Sequence, residues 1–196
     1  MSQRALAPIA HHENAAYVAL LTLAVVDAAG YSVIAPVAPA LARVSGAGPA
    51  LIGTLVASFP AGMVVGFALA GAAVKRGYRA TLLVAALVLV AAGCIGFIAS
   101  DDLGVWFAAR VVMGLGSGGL WMGITFATLE RWPGQEYLCM SRIFAAYSVG
   151  GLVGPALGAL GGIRGPFTAY LALVAASGAC ALALRPGTIR RQFRSD

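Results

Sequence analysis

Charge is scarce in this chain: Asp, Glu, Lys and Arg together make up 10% of its 196 residues, against roughly a quarter in a soluble domain. That shortage excludes a surface built mainly for water. Cysteine is limited to Cys94, Cys139 and Cys180. Cys94 and Cys180 lie inside apolar runs and no pair has metal-ligand spacing, so all three read as small packing residues, and no metal or cofactor is expected. The only histidines, His11 and His12, precede the first apolar run. Long polar loops are missing too, which leaves no room for a soluble catalytic domain. No secretory leader is read at the start, because the first apolar run is too long for one, contains Asp27 and lacks a convincing cleavage site.

What is present is apolar surface and glycine. Hydrophobic residues make up 60% of the chain, and the mean hydropathy is +0.89. The 26 glycines fit a membrane protein, in which small residues let helices approach closely. The net charge of +6 raises the possibility of nucleic acid. Yet the basic clusters sit just outside apolar runs and are not interleaved with aromatics on one face, which is the pattern of membrane orientation.

Six stretches are long enough to span a bilayer: 15–38, 50–73, 80–100, 104–128, 142–163 and 167–185. The reading is an all-α membrane domain over 15–185, with an N-terminal segment at 1–14 and a basic tail at 186–196. Arg4, Lys75, Arg76, Arg79, Arg131, Arg142, Arg185, Arg190, Arg191 and Arg194 fall on one side of the membrane, whereas only Arg43 and Arg164 fall on the other. Lys and Arg accumulate in cytoplasmic connections, so a multi-pass protein of the cell (inner) membrane with both termini cytoplasmic is predicted.

Two charged residues interrupt the apolar segments. Asp27 lies about twelve residues into the first, near mid-bilayer at about 1.5 Å per residue. A carboxylate there normally faces a cavity, a partner or a proton path. Arg110, in the fourth segment among Ala, Val and Gly, is placed by the same count at a similar depth. Asp27 and Arg110 could therefore pair across a cavity, the alternative for Arg110 being to snorkel to the outer interface on its long stem.

Gly114-Leu115-Gly116-Ser117-Gly118-Gly119 fits a dinucleotide fingerprint, but no strand and no βαβ unit surrounds it. Ser117 has no histidine within the apolar segments to act as its base, so an intramembrane hydrolase is disfavoured. These glycines are read as helix-packing residues. Gly150, Gly154 and Gly158 recur every four residues on one face of the fifth segment, and Pro155 removes a backbone donor beside them.

With these motifs in place, the sequence resembles the N-terminal half of the major facilitator superfamily, drug/proton antiporter type. Gly150-x-x-x-Gly154-Pro155-x-x-Gly158 matches the antiporter signature of the fifth helix. Arg110-Val-Val-Met-Gly114-Leu-Gly116 matches the fourth-helix signature, whose Arg is associated in the family with proton transfer. Asp27 with Ile34-Ala35-Pro36 and Ala38-Pro39 is similar to the first-helix pattern. Ala70-Gly71-Ala72-Ala73-Val74-Lys75-Arg76-Gly77-Tyr78-Arg79 resembles the cytoplasmic gate loop, with Lys75, Gly77 and Arg79 in place, Val74 where the family usually has Asp, and Ala70 where it usually has Gly.

The resemblance implies six transmembrane helices arranged as two inverted three-helix repeats, with the first and fourth lining the pathway. It also implies secondary transport by alternating access: proton-coupled efflux of a small amphipathic or hydrophobic solute, with Asp27 or Arg110 coupling the proton. The family has two such halves, so a second six-helix half, supplied by a homodimer or a separate chain, is expected as partner. The chain is otherwise expected to be a fragment or a truncated gene product. The rival reading is a non-transporting membrane scaffold or transporter remnant, which would need the packing glycines but neither Asp27 nor Arg110.

Overall fold

Proline decides where the first long helix breaks. Pro36 has no N–H to offer the carbonyl of Ser32, and its ring crowds that carbonyl. In the computed structural model, which describes residues 11–183, the helix is interrupted at Val33, giving α1 (His11–Ser32) and α2 (Ile34–Ser45). The break is slight, because Val33 N–H still donates to Ala29 O at 2.9 Å. Then follow α3 (Pro49–Lys75), α4 (Arg79–Ala99), α5 (Leu103–Arg131), α6 (Glu136–Gly158) and α7 (Arg164–Ala183). No strand occurs among the described residues.

The first apolar segment is therefore longer than predicted: α1 and α2 together make a 31-residue apolar stretch from Ala15 to Ser45. By length and composition, four stretches among the described residues are able to cross a membrane: this one, Pro49–Lys75, Thr81–Ala99 and Leu103–Arg131. The fifth segment, predicted at 142–163, begins earlier. α6 starts at Glu136 and ends at Gly158, so Arg142 sits nearly two turns inside a helix rather than flanking the connection. Most of the 1–14 segment and all of the 186–196 tail lie outside the described residues, as do the side chains of Arg79 and Cys180.

α5 is the central helix, packed between α3 and α4, while α1 packs on α6 and α7. Glycine makes these approaches close. A Cβ on Gly66 of α3 would meet Leu115 O at 2.5 Å, and one on Gly118 of α5 would meet Met63 O at 2.5 Å, so the two backbones are in contact from both sides. Gly116 faces the other neighbour, where a Cβ would lie 2.7 Å from Ala86 O of α4. Such contact replaces the hydrophobic driving force that lipid does not provide between helices.

Candidate functional site

Asp27 is 1% exposed and lies in the middle of the long apolar stretch formed by α1 and α2. Its Oδ2 accepts two hydrogen bonds from α5, from Ser117 Oγ at 3.0 Å and from Trp121 Nε1 at 2.9 Å. Ser117 and Trp121 are four residues apart, hence one above the other on a single helix face. Both donors are neutral, and among the described residues no cation pairs with this carboxylate. A buried carboxylate with neutral donors only is hydrogen-bonded but not charge-compensated, and protonation relieves that burden most directly.

Arg110 is fully buried, and the structure corrects the expected pairing with Asp27. Its guanidinium turns instead to the end of α1, donating from Nη1 to Gly30 O at 3.1 Å and from Nη2 to Tyr31 O at 3.3 Å. It also lies over the Phe59 ring of α3, 4.5 Å from the centroid, while its Nε has no hydrogen-bond partner among the described residues. The physical reason is register. α1 and α5 run antiparallel, with Asp27 level with Ser117 and Trp121, and Ser117 is seven residues from Arg110, about 10 Å along the axis. The guanidinium sits where the last carbonyls of α1 present the negative end of the helix dipole.

The glycine ladder of α6 lies against the helix that carries Asp27. A Cβ on Gly150 would run into Val25 O, one on Gly154 would lie 2.6 Å from Ala29 O, and one on Gly158 would run into the Pro36 ring. The three glycines thus follow α1 past its break into α2. Pro155, exposed on the other side of α6, does not join the contact. Of the fourth-segment glycines, Gly114 approaches Phe59 O of α3 and Gly116 approaches α4. They position α5 without touching Asp27.

Lys75 and Gly77 are exposed at the α3–α4 turn, away from Asp27 and Arg110. Gly77 has φ of +87°, a conformation that favours glycine. Its N–H donates to Val74 O at 3.0 Å and that of Tyr78 to Ala73 O at 3.0 Å, a Schellman termination. Val74, at the position where the resemblance leads one to expect Asp, is 7% exposed and packs with Ala70 and Leu82. The turn is thus held by apolar contact and backbone hydrogen bonds at the place where a carboxylate was expected.

Sequence reasoning missed the aromatic side of the site. The Trp121 ring stacks on Phe144 and meets Tyr147 of α6, each at 5.2 Å between centroids. Tyr31 lies 5.6 Å from Phe59 in the same way. Tyr31 and Phe144 are 45% and 55% exposed, so this aromatic layer opens to the outside of the described helices while the carboxylate behind it does not. One signal was available: Trp121 stands one helical turn beyond Ser117 and is the one tryptophan deep inside an apolar segment.

Among known families, the model described as Major Facilitator Superfamily matches residues 20–194. No curated protein matches the chain.

Proposed function

The chain belongs to the Major Facilitator Superfamily, whose members are transporters, and on that premise we propose that it is half of a proton-coupled antiporter exporting a small amphipathic or hydrophobic solute by alternating access. The observation that carries the reading is Asp27, a carboxylate buried at mid-span, supported by two neutral donors and, among the described residues, by no cation. Such a group trades a proton for a charge with the least rearrangement of its neighbours. The aromatic layer of Tyr31, Trp121, Phe144 and Tyr147 beside it suits an apolar or amphipathic solute.

In this reading α6 and α7 also span the membrane, giving six crossings with α1 and α2 as one. Two inverted three-helix repeats are supported by the packing. Exchanging α1, α3 and α4 with α5, α6 and α7 turns the α3–α5 contact into the α1–α6 contact and the α4–α5 contact into the α1–α7 contact. Both members of the first pair are backbone approaches through glycine. The antiporter subtype rests on the ladder Gly150, Gly154 and Gly158 with Pro155. The ladder seats the C-terminal part of α6 on α1 and the start of α2, where a sliding contact between pathway helices needs small residues.

Arg110 holds the α1–α2 break from the pathway side, and Lys75, Gly77 and Arg79 form the cytoplasmic turn. Both termini face the cytoplasm of a cell (inner) membrane protein. A second six-helix half faces the aromatic layer and completes the path. The experiment is solute-driven proton movement: the protein is reconstituted in vesicles with an imposed pH gradient, and amphipathic aromatic solutes are added. Dissipation of the gradient on solute addition is expected. A gradient that holds while the solute crosses removes the proton-coupled reading.

A further inference from the structure

The structure assigns Trp121 a coupling role: one indole ring belongs at once to the solute face and to the proton site, so an aromatic solute and the Asp27 proton act on each other through it. This rests on the reading of Asp27 as the proton-handling group. The Nε1 edge of the ring donates to Asp27 Oδ2 at 2.9 Å. The ring also stacks on Phe144 at an interplanar angle of 24° and meets Tyr147 at 60°. Phe144 is 55% exposed, Tyr147 half-buried and Trp121 itself 8% exposed. A solute reaching this layer therefore stacks on or beside a ring already engaged with the carboxylate.

The coupling acts by competition: a solute that draws the indole toward the aromatic layer takes its Nε1 away from Asp27. Withdrawal of the indole by about 0.6 Å carries the Nε1–Oδ2 separation past hydrogen-bonding range. Ser117 donates to the same oxygen, so the carboxylate keeps one donor when the indole leaves. Trp121 is in this sense a positioning residue that tunes the site, and Ser117 is the part that stays. Donors on Oδ2 favour the ionised form. Losing one makes Asp27 take up its proton at higher pH, and by linkage a protonated Asp27 releases the ring to the solute.

The other titratable groups around the site are accounted for. Tyr147 of α6 packs on the Trp121 ring, Tyr170 of α7 is buried, and Tyr31 lies one turn along α1 itself. Arg110 of α5 is committed to the Gly30 and Tyr31 carbonyls, and Cys94 of α4 lies buried near Tyr170. From α3 the apolar Phe59 packs on Arg110 and Tyr31. Among the described residues none of these both donates a hydrogen bond to Asp27 and packs in the aromatic layer, as Trp121 does.

The test is a carboxyl-carbon NMR titration of the full protein in nanodiscs, labelled with 13C-aspartate. The chain has four aspartates, and the Asp27 signal is the one missing from Asp27→Asn. The probes are tetraphenylphosphonium, an aromatic cation, and tetrapentylammonium, a cation without rings. The charge of either cation acts to lower the Asp27 midpoint; through the indole, tetraphenylphosphonium is expected to leave it about one pH unit above the value with tetrapentylammonium. Trp121→Phe, which keeps a ring but drops the donor, raises the midpoint without any probe and abolishes the difference between the two cations. Ser117→Ala also raises the midpoint but keeps that difference.

Equal midpoints with the two cations, or the same difference between them in Trp121→Phe, overturns the coupling role. An Asp27 signal that does not titrate at all overturns the proton reading beneath it instead.

Discussion

Two glycines three residues apart on α6 should respond to the same substitution in opposite ways. At Gly154 an alanine Cβ would lie 2.6 Å from Ala29 O and 2.8 Å from Val33 N, and would also run into Ser32 Oγ. Against ordinary van der Waals contact that is a deficit of roughly 0.8 Å. Because the obstacles are mostly backbone, α6 has to retreat from α1, and overpacking of this kind costs about 1–3 kcal/mol. At Gly151 a Cβ would meet nothing within 4 Å, so Gly151→Ala gains helix propensity of up to about 1 kcal/mol.

The two variants should therefore differ by about 2–3 kcal/mol, or roughly 5–10 °C in midpoint for a chain of this length. Thermal unfolding of both in the same detergent, followed by circular dichroism, measures the difference. If Gly154→Ala proves as stable as Gly151→Ala, α6 does not lie against α1 as described, and the register that supports the site is wrong.

Three further outcomes follow from the same geometry. Arg110→Ala leaves the Gly30 and Tyr31 carbonyls without their side-chain donor and should cost about 2–4 kcal/mol in the same unfolding assay, with Arg110→Lys recovering only part because one ammonium does not reproduce the planar fork; a neutral Arg110→Ala would refute the anchoring of α1. Gly77→Ala places a side chain at φ of +87° and should cost about 1 kcal/mol, visible as faster amide exchange at Gly77 and Tyr78, whereas unchanged exchange would refute the Schellman termination. Asp101→Asn removes an exposed ion pair to Arg164 of 2.9 Å, where both partners are solvated, so a shift above about 1 kcal/mol would show that this contact does more than its exposure allows.

How much of this was legible in the sequence depended on whether a feature is local. Asp27 could be picked out because one carboxylate in a long apolar run is conspicuous whatever surrounds it. The Gly150, Gly154 and Gly158 ladder was legible because spacing of four places residues on one helix face by geometry alone. The Asp27–Arg110 pairing failed because it required the relative register of two helices, and counting from estimated segment ends misplaced Arg110 by about two turns. Register between α1 and α5 is set by packing, including the glycine approaches, and no single segment carries it.

The break at Val33 was missed because membrane helices tolerate Pro36 and Pro39 in composition while still bending at them. The early start of α6 was missed for a different reason. Glu136, Arg142 and Tyr137 lower the local hydropathy, although the helix propensity of this stretch is unaffected. Trp121 went unread because tryptophan in an apolar run is ordinary by composition. Its role comes only from Asp27 arriving beside its Nε1, a contact 94 residues apart in sequence.

The measurement that bears most directly on the central claim is the split between driven transport and exchange in Asp27→Asn. The substitution keeps the size and one acceptor oxygen for Ser117 and Trp121 while removing the titratable charge. In vesicles, the protein with its complete pathway should lose accumulation of an aromatic solute against a gradient while retaining solute exchange at equal concentrations. Accumulation driven by a pH gradient at the unsubstituted level in Asp27→Asn would contradict the account.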